Sequence, residues 1–181
     1  MKKWVSERSE KDASGKDYPI IHMSLPVEHY TFNKIPADAE IPYELLLLAD
    51  ETKEAIDRYI SGCDIYILNN GIRDIAVLAL HKNNNAEIEI KNIAVAEGYR
   101  SQGIGSFLIE KAKEIAKQNR YTSLLVGTSD TGLQQIRFYK KNGFTEKGVI
   151  KNFFIENYPF PIYENGLQMY DMVILSHDLS E

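Results

Sequence analysis

The chain of 181 residues is 44% hydrophobic and 26% charged, a balance typical of a globular protein that buries its own core. Its formal net charge of −5 argues against a surface that holds nucleic-acid backbones, and no apolar run is long enough to cross a bilayer. A single cysteine, Cys63, excludes an internal disulfide, so we expect a cytoplasmic protein with neither a nucleic-acid nor a membrane partner.

The first 19 residues are polar and predict a leader or an arm with little strand structure, followed by one domain over residues 20–181. Asn69-Asn70-Gly71 is a hairpin signal, and Asp50 or Thr52 is a candidate N-cap. Apolar patterns in this half predict, in chain order, a strand over His29–Ile35, helices over Tyr43–Ala49 and Glu54–Ile60, and strands over Ile65–Leu68, Ile75–Leu80 and Glu87–Val95.

The second half predicts, in chain order, a helix with apolar positions from Ile104 to Ala116, a strand over Thr122–Gly127, a helix over about Thr131–Asn142, and strands over Phe144–Phe154 and Leu167–Leu175. Ser129 or Asp130 is placed to cap the second of these helices, and Gly143 is placed to end it. The order of elements predicts a mixed α/β domain with a mainly antiparallel sheet, one central parallel βαβ step and flanking helices.

The most informative pattern is a strand, a short loop and a helix that begins at two glycines, Gly103 and Gly105. Helix N-termini leave backbone N–H groups unpaired and carry positive partial charge. Glycines let an anion approach those donors, so the pattern suits a cradle for a pyrophosphate. The glycines alone fit an ordinary turn with a helix cap equally well.

Two other phosphate motifs are absent from the sequence. A P-loop requires Gly-x-x-x-x-Gly-Lys-Ser/Thr, and the chain contains no such string. A dinucleotide fingerprint requires a third Gly or Ala three residues after Gly105, where the chain has Leu108. The segment therefore matches neither of these nucleotide-binding classes.

Arg100-Ser101-Gln102-Gly103-Ile104-Gly105 resembles the signature of the GNAT superfamily of N-acetyltransferases, Arg or Gln, two residues, Gly, one residue, Gly or Ala. The preceding Ile93-Ala94-Val95 is similar to the end of the family's signature strand. Phe138-Tyr139-Lys140-Lys141-Asn142-Gly143-Phe144 is similar to a second signature, and both occur in the family's order. Within the superfamily, the segments Ile41–Asp50 and Phe153–Gly166 resemble a bacterial subgroup of uncharacterised acetyltransferases.

The resemblance implies acetyl-CoA as cosubstrate. It also implies that the strand Glu87–Val95 diverges from Thr122–Gly127 through a bulge, and that the pantetheine arm enters the opening. The residues implied to bind the cofactor are Ile93, Ala94, Val95, Arg100, Ser101, Gln102, Gly103, Ile104, Gly105 and Ser106. The backbone amides of Gln102 to Ser106 would hold the pyrophosphate.

Acetyl transfer to an amine needs an acceptor for the amine proton, a donor for the oxyanion and a proton donor for the leaving thiolate. Resemblance implies Glu89 as the proton acceptor, Tyr139 as the proton donor and the N–H of Val95 as the oxyanion donor. On alternation alone, Glu87 and Glu89 share a face of their strand and are equally consistent with solvated surface carboxylates. Tyr139 is likewise consistent with a tyrosine that packs on the core.

The sequence leaves the acceptor open beyond a small-molecule or peptide amine. Many family members carry Asn seven residues before the tyrosine, where this chain has Gly132, so that contact to pantetheine is expected to be missing. The four histidines lack the spacing of metal ligands, so no metal is expected. A non-catalytic acyl-CoA-binding domain on the same fold is the alternative to an enzyme, and the leader and the aromatic C-terminal segment are candidates for a homodimer contact.

Overall fold

The computed structural model describes residues 30–180 and, before them, only two short strands, β1 (Ser9–Lys11) and β2 (Asp17–Pro19). These two strands pair in antiparallel fashion, so the predicted leader contains more strand structure than its polar composition suggested. The other residues of the leader and the predicted start of the domain at residue 20 lie outside the described residues. The boundary between leader and domain stays a prediction.

The remaining elements follow the predicted order, with short additions. The strands of the domain are β3 (Thr31–Lys34), β4 (Cys63–Asn69), β5 (Asp74–Lys82), β6 (Glu87–Val95), β7 (Ser123–Ser129), β8 (Thr145–Ile150), β9 (Tyr163–Glu164), β10 (Leu167–Gln168) and β11 (Met172–Asp178). The helices are α1 (Tyr43–Leu46), α2 (Lys53–Asp57), α3 (Ile104–Gln118), α4 (Leu133–Lys141) and α5 (Phe153–Asn157), and single 3₁₀ turns cover Ile60–Gly62 and Glu97–Tyr99.

Seven strands form the main sheet in the order β3-β4-β5-β6-β7-β11-β8. Every pair is antiparallel except β6 and β7, which are parallel and joined by α3. Helix α3 is the crossover that a parallel pair requires. The mixed α/β fold with a mainly antiparallel sheet and one βαβ step is thereby confirmed.

Each face of the sheet is covered by the apolar side of helices. Helix α3 buries a stripe at helical spacing, Ile104, Leu108, Ile109, Ala112 and Ala116, against β5, β6 and β7. The short helices α1 and α2 cover the opposite face through Leu46 and Ile56, which are fully buried. Thr52 caps α2 as predicted, since its Oγ1 accepts a hydrogen bond from the amide of Ala55 at 3.1 Å.

The parallel pair holds together over only part of its length. Strands β6 and β7 are paired from Glu87 and Ser123 up to Ile90 and Val126, and beyond that point they no longer pair with each other. The divergence begins beside a bulge in β6, where Asn92 lies opposite Ala79 and Ile90 opposite Leu80, so that Lys91 has no partner in β5. A bulge bends its strand and increases the local twist, which opens the gap.

The C-terminal third differs from the prediction in three places. The predicted strand Phe144–Phe154 ends at Ile150, because Asn152 takes a left-handed conformation with φ 56° and starts the short helix α5. The predicted strand Leu167–Leu175 divides into β10, which forms a small hairpin with β9, and β11 in the main sheet. Neither Ser129 nor Asp130 caps α4, whose N-cap is Gly132 without a side-chain bond, while Gly143 ends the helix at φ 86° as predicted.

Candidate active site

A cleft of about 460 Å³ occupies the gap between the diverging strands. Its walls are the ends of β6 (Ile90 to Val95) and β7 (Val126 to Ser129), Tyr139 of α4, the turn after α1 and the segment between α5 and β11. The cleft lies at the carboxyl ends of two parallel strands, where ligands bind in open α/β sheets. The fold therefore places a cleft where the sequence predicts that a ligand binds.

The backbone of β6 presents unused hydrogen-bonding groups to this cleft. The amide of Ala96 donates to Ile75 of β5 at 2.8 Å, so alternation directs the amides of Ile93 and Val95 away from β5, toward the side that β7 has left. Ile93, Ala94 and Val95 all line the cleft, and Ala94 also packs into the buried cluster under α1 and α2. This arrangement gives an extended ligand a strand edge with which to pair.

The loop between β6 and α3 ends in a run of unpaired amides. Among the residues that the structure describes, none accepts a hydrogen bond from the amides of Gln102 to Ser106. Ser101 and Gly103 adopt positive φ, 59° and 84°, which turns the backbone so that these donors converge at the N-terminus of α3. Free amides at a helix N-terminus suit a pyrophosphate, so the residues present fit coenzyme A.

Glycine is required at the two signature positions for different physical reasons. Gly103 is exposed and must adopt positive φ as the N-cap. A Cβ on Gly105 would come within 3.2 Å of the Phe138 ring, so that glycine is needed for the packing of α3 against α4 as well. Arg100 supports the loop from the other end, because its Nε donates to the carbonyl of Val95 at 3.0 Å.

Tyr139 projects from α4 into the same cleft. Its ring packs edge-to-face on Phe138 and Phe144, and only 6% of the residue is exposed. Burial raises the pKa of its phenol, which keeps the hydroxyl protonated at neutral pH. No hydrogen bond to this hydroxyl is found within the described part of the chain, so it can donate to a bound group.

Glu89 lies outside the lining of this cleft. It borders a second, smaller cavity of about 310 Å³ together with Arg58, His81 and Lys91. Its carboxylate accepts hydrogen bonds from Lys91 Nζ and Asn83 Nδ2, both at 3.0 Å. Lys91 borders both cavities, so it links Glu89 to the main cleft.

Glu87 borders neither the main cleft nor the smaller cavity. Its carboxylate pairs with Lys147 of β8 at 2.6 Å, and hydrogen bonds from Lys147 and Asn84 hold the pKa of that carboxyl below its usual value. A carboxylate held in this way serves to connect strands across the sheet.

The structure also brings together three polar residues that the site prediction from the sequence did not include. Asp50, which follows α1, receives hydrogen bonds from Tyr59 Oη at 2.5 Å and from Asn92 Nδ2 at 2.8 Å. Asp50 and Asn92 both line the cleft. The signal was Asn92 itself, a polar residue at a buried position of the β6 alternation.

Two expected absences concern metals and membranes. Over the described ranges, no group of His, Cys, Asp or Glu side chains has the geometry to hold a metal ion, while His22 and His29 lie outside those ranges. None of the helices in the described part of the chain is long and apolar enough to cross a membrane.

A cleft between diverging parallel strands, free amides at a helix N-terminus and a buried protonated tyrosine together define a site of the acyl-CoA transferase class. Residues 61–146 match the family model described as acetyltransferase (GNAT) domain. The chain is also 36% identical over 137 residues, 76% of its length and 88% of the relative, to the uncharacterised N-acetyltransferase YvbK of Bacillus subtilis. The chain therefore belongs to the GNAT acetyltransferase family, and it is an acyltransferase that uses acetyl-CoA.

Solved structures agree with this assignment. A GNAT family acetyltransferase from Elizabethkingia anophelis with acetyl-CoA bound is 39% identical, with a TM-score of 0.79 over 83% of this chain and 99% of that one. An acetyltransferase of Bacillus subtilis in complex with CoA is 32% identical, with a TM-score of 0.72 over 83% and 97% of the two chains. The predicted cosubstrate, acetyl-CoA, is thus confirmed.

Proposed function

We propose that this enzyme transfers the acetyl group of acetyl-CoA to a primary amine by direct attack, with both substrates bound in the cleft. The observation that carries this proposal is the cleft itself. It joins the strand edge at Ile93 and Val95 to Tyr139 in one space, and Arg100 at its border begins the loop that carries the free amides before α3.

Each backbone amide or side chain of the site has one role in this reaction. The amides of Gln102 to Ser106 hold the pyrophosphate, and Ile93 pairs with the pantetheine arm. The N–H of Val95 stabilises the oxyanion that forms when the amine nitrogen attacks the thioester carbonyl. As the carbon–sulfur bond breaks, Tyr139 donates its proton to the departing thiolate. Glu89 or solvent takes the protons that the nitrogen loses as the amide forms, and solvent restores the proton on the phenol.

The proposal is tested by a screen of primary amines with acetyl-CoA, read as release of free thiol. The panel holds polyamines, lysine-containing peptides, aminoglycosides and streptothricin. Streptothricin is included because streptothricin acetyltransferase A of Bacillus subtilis is 34% identical over 52% of this chain and 53% of its own length. Saturable thiol release with at least one amine is the expected result. Tight binding of acetyl-CoA without turnover of any amine would favour a binding domain instead.

Glu89→Gln tests the proposed proton acceptor. If Glu89 takes the amine proton, directly or through water at Lys91, the rate falls about 10- to 100-fold at neutral pH. It recovers in part at high pH, where an amine with a pKa near 10.4 is already neutral in solution. We expect this pattern in a pH–rate profile of the two proteins.

Glu87→Gln is the matched control, because it removes a carboxylate from the same face of β6 without touching the cavity that Glu89 borders. It should leave the profile unchanged. A raised KM with an intact kcat for Glu89→Gln would indicate attraction of a cationic acceptor, and an unaltered profile would remove Glu89 from the site. The double variant shows whether one carboxylate replaces the other.

A further inference from the structure

Asp50 presents a free carboxylate oxygen at the wall of the cleft. Its Oδ2 accepts hydrogen bonds from Tyr59 and Asn92, at 2.5 and 2.8 Å, which fix the orientation of the group. Its Oδ1 accepts no hydrogen bond from any residue that the structure describes. The carboxylate is therefore positioned by one oxygen and available through the other.

Asn92 adds a second unfulfilled acceptor at the same place. Its amide nitrogen donates to Asp50, to the carbonyl of Leu46 and to Tyr59, which fixes which end of the amide is the oxygen. The residue is only 4% exposed, and its Oδ1 is the one buried side-chain polar atom without a partner within residues 30–180. Orphaned buried acceptors are rare, so this one marks a position where a bound donor completes the hydrogen bonding.

The charges around the cleft leave Asp50 without a cationic partner. Lys91 pairs with Glu89 at 3.0 Å, and the Arg100 side chain bonds to the carbonyl of Val95. Neither reaches Asp50, and no other ion pair to it occurs among the described residues. Tyr59 stays a neutral donor, because burial and the neighbouring carboxylate raise the pKa of its phenol.

We propose that Asp50, held by Tyr59 and Asn92, is the residue that binds the ammonium group of the acceptor. The inference rests on the proposed function and narrows it, since it selects amines that arrive protonated over uncharged ones. The ammonium offers three N–H donors, which suit the free oxygen of Asp50 and the unpartnered oxygen of Asn92. Asp50 thus acts as a specificity-determining residue at the acceptor end of the cleft.

Asp50→Asn is the test, because the amide keeps an oxygen for Tyr59 and Asn92 and replaces the free carboxylate oxygen with an uncharged NH₂ group. With a cationic acceptor such as spermidine, KM should rise about 10- to 100-fold, the range for losing a hydrogen bond to a charged group. With aniline, whose amine is uncharged at neutral pH, kcat/KM should change less than about twofold. Both acceptors are measured on the same preparation, so any loss of folded protein lowers both rates equally.

Glu54→Gln is the matched control, since it removes an exposed carboxylate of the neighbouring helix α2 that borders neither cavity. It should leave both acceptors unaffected. An unchanged KM for spermidine in Asp50→Asn, or an equal loss with both acceptors, overturns the inference while the acetyltransferase activity of the wild type stands. Wild-type protein that binds acetyl-CoA and acetylates no amine overturns the proposed function and, with it, this role for Asp50.

Discussion

Replacing Gly103 by Glu is expected to abolish the binding of coenzyme A. Gly103 is the exposed N-cap of α3, directly beside the free amides of Gln102 and Ile104. A carboxylate there would compete with the pyrophosphate for those donors and repel its charge. Isothermal titration should show at least a 100-fold weaker affinity for coenzyme A, whereas the wild type binds with a measurable enthalpy.

The backbone at Gly103 requires a control for strain as well as for charge. Its φ of 84° disfavours any side chain, so Gly103→Asn, a neutral residue that tolerates this region, isolates the conformational effect. Gly98→Glu places the same charge in the same loop, where a Cβ has no neighbour within 4 Å. Gly105→Glu is less informative, because it also disturbs Phe138. Unchanged affinity in Gly103→Glu would refute the cradle.

Much of the fold follows from local pattern. Strand β6 is predicted at Glu87–Val95, the bounds that it has, because Ile88 and Ile90 alternate with glutamates and the turn Asn83–Asn85 ends the preceding strand. The hairpin at Asn69–Gly71 and the glycine at the end of α4 follow from residues that tolerate positive φ. The glycine signature predicted the run of free amides before α3, because a helix N-terminus carries its free donors wherever the helix lies.

What the sequence did not predict depends on contacts between distant segments. Strand β8 stops before Phe153 because the Asn152 amide donates to Asp171 of the segment before β11, a contact across 19 positions. The cluster of Asp50, Tyr59 and Asn92 likewise spans 42 positions and exists only when α1 packs against β6. Asp50 had a local interpretation as an N-cap, and local reasoning could not reveal that its side chain faces the cleft instead.

The position of Glu89 is a second feature that local sequence patterns do not fully predict. Alternation correctly placed it on one face of β6 with Glu87, but the bulge at Lys91 then decides which side chains reach the main cleft. Glu89, before the bulge, borders the smaller cavity, whereas Asn92 to Val95, after it, line the larger one. A single inserted residue shifts the face of every position that follows, and the apolar pattern does not reveal it.

Tyr139→Phe is expected to lower kcat about 100-fold with little change in stability. The hydroxyl makes no hydrogen bond within the described part of the chain, so its removal leaves the packing on Phe138 and Phe144 intact. The loss of an acid catalyst of this kind corresponds to about 2.7 kcal/mol in the barrier. Steady-state kinetics with a saturating acceptor and a thermal melt measure the two quantities.

The pH dependence separates proton donation from packing. A departing thiol has an ordinary pKa near 8.5, so above about pH 9 the thiolate leaves without needing a proton and the defect of Tyr139→Phe should narrow. The raised pKa of Tyr139 keeps the wild-type phenol protonated over that range, so its own titration does not mask the effect.

Tyr121→Phe makes the same change at a half-buried tyrosine outside the cleft and should alter neither kcat nor its pH profile. A kcat within twofold of wild type for Tyr139→Phe at neutral pH would mean that the tyrosine only packs, and the leaving thiolate would then have to take its proton from solvent.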